Sequence, residues 1–167
     1  MRNFIQPFYT VLLFLCFQAT LFISCQDPTP PKEKEIVKEA ELLNPRTLDI
    51  IRSALEYALE NNGKIDDTIR LTETPFVRDA YTSLMSGRIW SDEKDWQRQG
   101  DSLWHFIEQS ERYGLFPTDY HFRNLRSLRN ALTDSVNQLD AATWARAELL
   151  MTDAFIHMGR HLKLGRL

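Results

Sequence analysis

Few residues in this chain have the type and spacing to do chemistry. The first is Cys25, which follows the small Ser24 and closes an apolar run from Val11 to Ile23. A cysteine in that place is a lipid attachment site: the leader is cut in front of it and the sulfur is acylated. Phe22 stands three places before it where a leucine is commoner, with Leu21 one place further upstream. Cys16 follows the bulky Leu15 inside the same run and leaves with the leader. The run contains Gln18 and Thr20 and is shorter than the roughly 20 apolar residues of a spanning helix, which favours a cleaved leader over a retained anchor. The mature chain then owns one acylated cysteine, which excludes disulfides, cysteine-ligated metals and thiol nucleophiles.

The second pattern is Asp153, His157 and His161, spaced by four along one helical stripe. A zinc site takes three or four protein ligands, and no other element obviously supplies the rest. The stripe is therefore read as polar, with Asp153 pairing His157 at helical spacing, and no metal or cofactor is expected. His105 and His121 are solitary and read as surface or hydrogen-bonded histidines.

Arg123, Arg126 and Arg129 form a small basic face that could meet phospholipid or an anionic glycan, although such a run is usually solvated. The acids Asp66-Asp67 and Asp92-Glu93 fall in turn-like segments, where acids cap helices. Adjacent acids do not establish the facing carboxylates of glycoside hydrolysis. Trp90, Trp96 and Trp104 could build a sugar-stacking surface, yet the helical spacing of Trp96 and Leu103 favours core. There is no glycine-rich phosphate loop and no nucleophile-elbow serine.

The elements that must position these residues are mostly helical. A formal charge of −3, with no basic stripe, excludes a nucleic-acid footprint. Pro28, Pro30 and Pro31 make Gln26 to Lys34 a tether, and a polar helical stretch is expected from Glu35. Asn44-Pro45 signals a helix start, with Leu48, Ile51, Leu55 and Leu59 as its apolar face and Gly63 as its end. Ile65 to Leu71 reads as a short strand, and Arg88-Ile89-Trp90 as a second. Between them Thr74-Pro75 starts a helix with Phe76, Val77, Ala80, Tyr81, Leu84 and Met85 on one face. Ser91 or Asp92 is expected to cap a helix carrying Trp96, Leu103, Phe106 and Ile107, which Gly114 breaks. Leu115 to Asp119 is a turn before a helix through Leu125, Leu128 and Leu132. After Asp140 the positions Trp144, Ala147, Met151, Ala154, Phe155, Met158 and Leu162 trace the clearest face, ended by Gly165.

Two stretches go beyond helix patterning. One is Gly87-Arg88-Ile89-Trp90-Ser91 followed by Tyr113-Gly114-Leu115-Phe116-Pro117-Thr118-Asp119-Tyr120-His121. The other is Ala147-Glu148-Leu149-Leu150-Met151-Thr152-Asp153-Ala154-Phe155, continuing through His161-Leu162 to Gly165-Arg166. In this order they resemble the N-terminal scaffold region of the large murein L,D-transpeptidases of Gram-negative bacteria, over about residues 46 to 167. The resemblance implies a helical scaffold packed beside a separate catalytic domain that cross-links peptidoglycan stem peptides through a cysteine acyl-enzyme. The catalytic motif of that family, a His followed at a distance by Ser/Thr-His-Gly-Cys, has no counterpart in these 167 residues. No catalytic residue is carried over.

The resulting expectation is a mainly α fold with room for a short β-ribbon, preceded by a signal peptide and a Pro-rich tether. Residues 1–24 form the lipoprotein signal peptide, 25–43 the tether and polar lead-in, and 44–167 the helical scaffold-like domain. The chain would be the scaffold portion of a longer cross-linking enzyme, silent by itself, lipid-anchored through Cys25 and facing the periplasm. Its partners would be peptidoglycan or a catalytic domain outside these residues, with no nucleic acid. The runner-up is a stand-alone helical envelope lipoprotein acting as an adaptor or peptidoglycan-binding module. A metal-dependent hydrolase using His157 and His161 ranks last.

Overall fold

The structure, a computed structural model, describes residues 29–83 and 87–166. Cys25 and the leader lie outside the described residues, as do Leu84 and Met85. The fold is mainly α. Among the described residues it comprises α1 (Leu43–Glu60), α2 (Thr74–Ser83), a ribbon of β1 (Ser91–Asp92) and β2 (Asp95–Trp96), α3 (Arg98–Glu108), α4 (Phe122–Ala131) and α5 (Ala141–Leu164). Short 3-10 turns at Ala40–Leu42, Ser110–Tyr113, Pro117–Tyr120 and Asn137–Leu139 join them.

α5 is the axis, and α1, α2, α3, α4 and the Pro117–Tyr120 turn all pack on it. From Ala141 to Ala154 every residue except Arg146 is buried, as expected of a helix that is apolar on nearly all sides. Its many alanines let neighbouring backbones come close. Trp144, Ala147, Met151, Ala154 and Met158 line the core as their spacing requires, while Phe155 and Leu162 face outward, each 56% exposed. Asp140 caps the helix: its carboxylate accepts from the Ala142 N–H at 3.1 Å and from the Thr143 hydroxyl at 2.7 Å. Gly165, at φ 81°, ends it.

The lead-in is not helical from Glu35. Asp140 also accepts the Glu35 N–H at 2.7 Å, and the backbone pairs Val37 N–H with Leu139 O and Ala141 N–H with Glu35 O, each at 2.9 Å. Glu35 through Val37 is thereby stretched across the entrance to α5, and Arg46 holds the Glu35 side chain.

α1 begins one residue before the expected cap, running on from the 3-10 turn, so Asn44 lies inside the helix. Its amide is drawn to the ribbon instead, donating to Asp92 at 2.7 Å and accepting from the Glu93 N–H at 2.9 Å. The buried face is Leu43, Thr47, Ile50, Ile51, Ala54, Leu55 and Ala58. Leu59, assigned inward by spacing, is 43% exposed, and Leu48 is only partly buried. Ile51 and Leu55 are buried as the pattern requires, and the smaller Thr47, Ala54 and Ala58 share that face with them.

Ile65 to Leu71 is a loop closed by its own bonds, not a strand. The Asp66 carboxylate accepts from the N–H groups of Thr68 and Ile69, both at 2.7 Å, and Ile65 N–H reaches Ile69 O at 3.0 Å. Acidic turn chemistry reverses the chain there, while Ile65, Ile69 and Leu71 still reach the core. In α2, Val77 is fully buried but Phe76 is 55% exposed. A ribbon is present at Ser91–Trp96 as a local hairpin rather than at Arg88 to Trp90. Trp96 therefore belongs to β2, and α3 starts after Gln97.

Candidate functional site

The polar residues of α5 gather the surrounding loops. Glu148 is fully buried in a run of Ala, Leu and Met. Its carboxylate accepts from the N–H groups of Ile89 at 2.8 Å and Trp90 at 3.0 Å, from the Ser91 hydroxyl at 2.5 Å and from Tyr81 at 2.9 Å. These bonds take the backbone donors that a strand at Arg88 to Trp90 would have used. One turn on, Thr152 accepts from the Trp90 indole at 2.8 Å and lies 3.1 Å from the Tyr81 hydroxyl. Arg88 supplies the countercharge, 4.0 Å from Glu148. It also donates to Ser91 at 3.0 Å and to the Glu93 carbonyl and Asn44 at 2.8 Å, and it stacks 4.6 Å over Trp144.

A second constellation follows on the next face. Asp153, 1% exposed, accepts from the N–H groups of Thr72 at 3.0 Å and Glu73 at 2.7 Å, and pairs with His121 at 2.7 Å. Glu73, itself buried, meets His157 at 3.0 Å and Arg160 at 2.6 Å. His161 bonds the Tyr120 hydroxyl at 2.8 Å, its ring centroid 4.2 Å from that of His157. Arg166 closes the end by donating to Asp119 at 2.7 Å.

Burial sets the electrostatics. It raises the Tyr81 hydroxyl well above its usual range, an effect reinforced by the Glu148 charge. Burial also draws Arg88 down to about 10, against the pull of Glu148, so Arg88 is still a cation at neutral pH. His161 is lowered by desolvation and then by its neighbour His157. Tyr120 is raised by burial and by Asp119.

Asp153 and His157 do not pair along the helix: each reaches across to another element, Asp153 to His121 and His157 to Glu73. Among the described residues no group of three or more His, Cys, Asp and Glu side chains is placed to hold a metal ion. His105 is a surface histidine beside Glu108, at 3.2 Å. His121, read as solitary, is the link between a turn and α5. The basic face splits. Arg129 turns inward over Trp96 at 4.3 Å and pairs with Asp101 at 2.7 Å, while Arg123 and Arg126 are exposed. Trp90 and Trp104 are core, and Trp96 is half-buried against Trp144 with ring centroids 5.2 Å apart.

Glu148, Glu73, Ser91 and Tyr81 were not legible as a group. The available signal was Glu148 itself, an acid amid apolar helix residues, which must find partners if buried. The Glu148 constellation is closed, while the second leaves His157, His161 and Arg160 partly exposed at its rim. Ser91 and Glu148 are wholly buried, so no substrate can reach them, and each carboxylate is spent on internal donors. They hold the neighbouring loops against α5. No curated protein and no solved structure matches the chain. A family described as "Scaffold domain" matches residues 75–167.

Proposed function

The chain belongs to the Scaffold domain family, and on that premise we propose that it is the membrane-tethered scaffold portion of a murein L,D-transpeptidase. Its work is to position the catalytic part of a peptidoglycan cross-linking enzyme. The observation that carries this reading is the contact between the two stretches that resemble such scaffolds. The turn Leu115 to His121 and the helix segment Ala147 to Phe155 meet through His121 and Asp153, inside the matched range. Residues that carry the sequence resemblance thus form one joint in the fold. Buried, internally satisfied polar groups suit a rigid platform and not a reaction centre, because a nucleophile needs both access and a base.

Acylation of Cys25 would anchor the chain in a membrane of the Gram-negative envelope, with the domain facing the periplasm. The tether then enters at Lys32 to Val37, where Arg146 holds the carbonyl of Glu33 at 2.6 Å, so the anchor pulls on the base of α5. The test is the muropeptide profile of cells lacking the locus. A fall in 3-3 cross-links, restored by the complete locus, is expected. An unchanged cross-link profile would overturn the assignment.

A further inference from the structure

Beside the ribbon, a cleft of about 470 Å³ opens between β2, the end of α4 and the segment before α5, within the size range of small-ligand sites. At its base Trp96 meets the fully buried Trp144. Arg129 is fixed over Trp96 at 4.3 Å by its ion pair with Asp101, giving one wall a rigid stack of guanidinium and indole. Leu132 and Thr133 and the polar side chains of Lys94, Asp95, Asn130 and Gln138 line the rest.

The polar rim is uncommitted. Gln138 uses its backbone carbonyl, and not its amide, to hold the Trp144 indole at 3.0 Å. Asn130 likewise engages Thr133 through its carbonyl. Among the described residues, none of the Lys94, Asp95, Asn130 and Gln138 side chains makes a hydrogen bond. This contrasts with the α5 constellations, where every carboxylate is satisfied internally. Two amides, a carboxylate and an ammonium supply donors and acceptors around the cleft, and the portion of the Trp96 ring that lines it beside Arg129 offers apolar contact for C–H groups. Vicinal hydroxyls on a pyranose ring call for that combination.

We propose that this cleft binds an oligosaccharide, with Asn130, Gln138 and Asp95 reading ring hydroxyls or an acetamido group and the part of Trp96 that Arg129 leaves uncovered in the cleft meeting the sugar's C–H groups. The proposal deepens the scaffold reading and rests on it only for the source of the glycan, the sacculus.

The test uses the purified full chain in mild detergent, following the Trp96 indole N–H resonance on addition of chitotetraose and, separately, cellotetraose. Because Asn130 is exposed and Gln138 only half-buried, an Asn130→Ala, Gln138→Ala double variant keeps the fold, as checked by its circular dichroism. A saturable shift with either sugar, weakened at least about tenfold in the variant, is expected. No saturable shift with either sugar, or equal affinity in variant and wild type, would overturn the proposal. Those failures would leave the cross-linking assignment standing, since that assignment is read from 3-3 cross-links.

Discussion

The imidazole Nε2 of His121 lies 2.7 Å from the Asp153 carboxylate, and this contact joins the turn before α4 to the middle of α5. His121 adopts φ 58°, a left-handed conformation that is uncommon for a residue with a β-carbon. Asp153 also takes the N–H groups of Thr72 and Glu73, so one buried carboxylate organises two loops. Removing it leaves three donors without an acceptor.

Asp153→Ala is accordingly expected to destabilise the domain by about 3 to 5 kcal/mol, measured by urea denaturation. His121→Ala removes only one of the three bonds and should cost about 1 to 2 kcal/mol. Equal losses for the two variants would show that the backbone bonds to Asp153 contribute nothing.

Gly100 gives a prediction of unusual sign. Within a helix, Gly→Ala ordinarily stabilises by about 1 kcal/mol. A β-carbon at Gly100 would overlap the Trp90 carbonyl oxygen and approach the Trp96 ring at 3.3 Å. Gly100→Ala should therefore destabilise, by about 1 to 3 kcal/mol, whereas Ser102→Ala on the exposed side of the same helix should change stability by less than about 0.5 kcal/mol. A raised melting temperature for Gly100→Ala would mean that α3 does not sit this close to the ribbon.

The parts of the fold set by local pattern were readable in the sequence. The α5 face apart from Phe155 and Leu162, its start after Asp140 and its Gly165 stop came from apolar spacing and a glycine signal; the Asp140 cap itself did not. Trp144 was placed in the core for the same reason. What misled was competition for partners at long range. Asn44 looked like a cap because it precedes Pro45, yet its amide is engaged by Asp92 and Glu93, 48 and 49 residues away. Asp153 and His157 looked like a helical pair, yet each found a better-placed partner on another element. The Arg88 to Trp90 strand failed because Glu148 offered its donors a buried acceptor. Such choices depend on tertiary proximity, which spacing along the chain does not encode.

Cys25→Ala tests the proposed anchor. Without the thiol there is nothing to acylate, so the variant should move from the membrane pellet to the soluble fraction or keep its leader uncut, as read by fractionation and intact mass. Normal cleavage with unchanged membrane association would eliminate lipid attachment at Cys25.

His161 predicts how stability depends on pH. Its folded-state pKa is lowered from 6.5 by desolvation and by His157, so the folded form prefers the neutral ring that bonds Tyr120. The unfolded chain then binds more protons between the lowered value and 6.5, and stability rises with pH across that window. The contribution is complete above 6.5 and is lost as pH falls through the folded-state value. Asp119 and Glu73 oppose the shift, while Arg166 acts with His157 in lowering it. Urea midpoints measured from pH 7.5 downward should fall in this window for the wild type, and His161→Gln, which retains a polar group toward Tyr120 but cannot titrate, should flatten the decline. An identical decline in His161→Gln would move the acid sensitivity to another group.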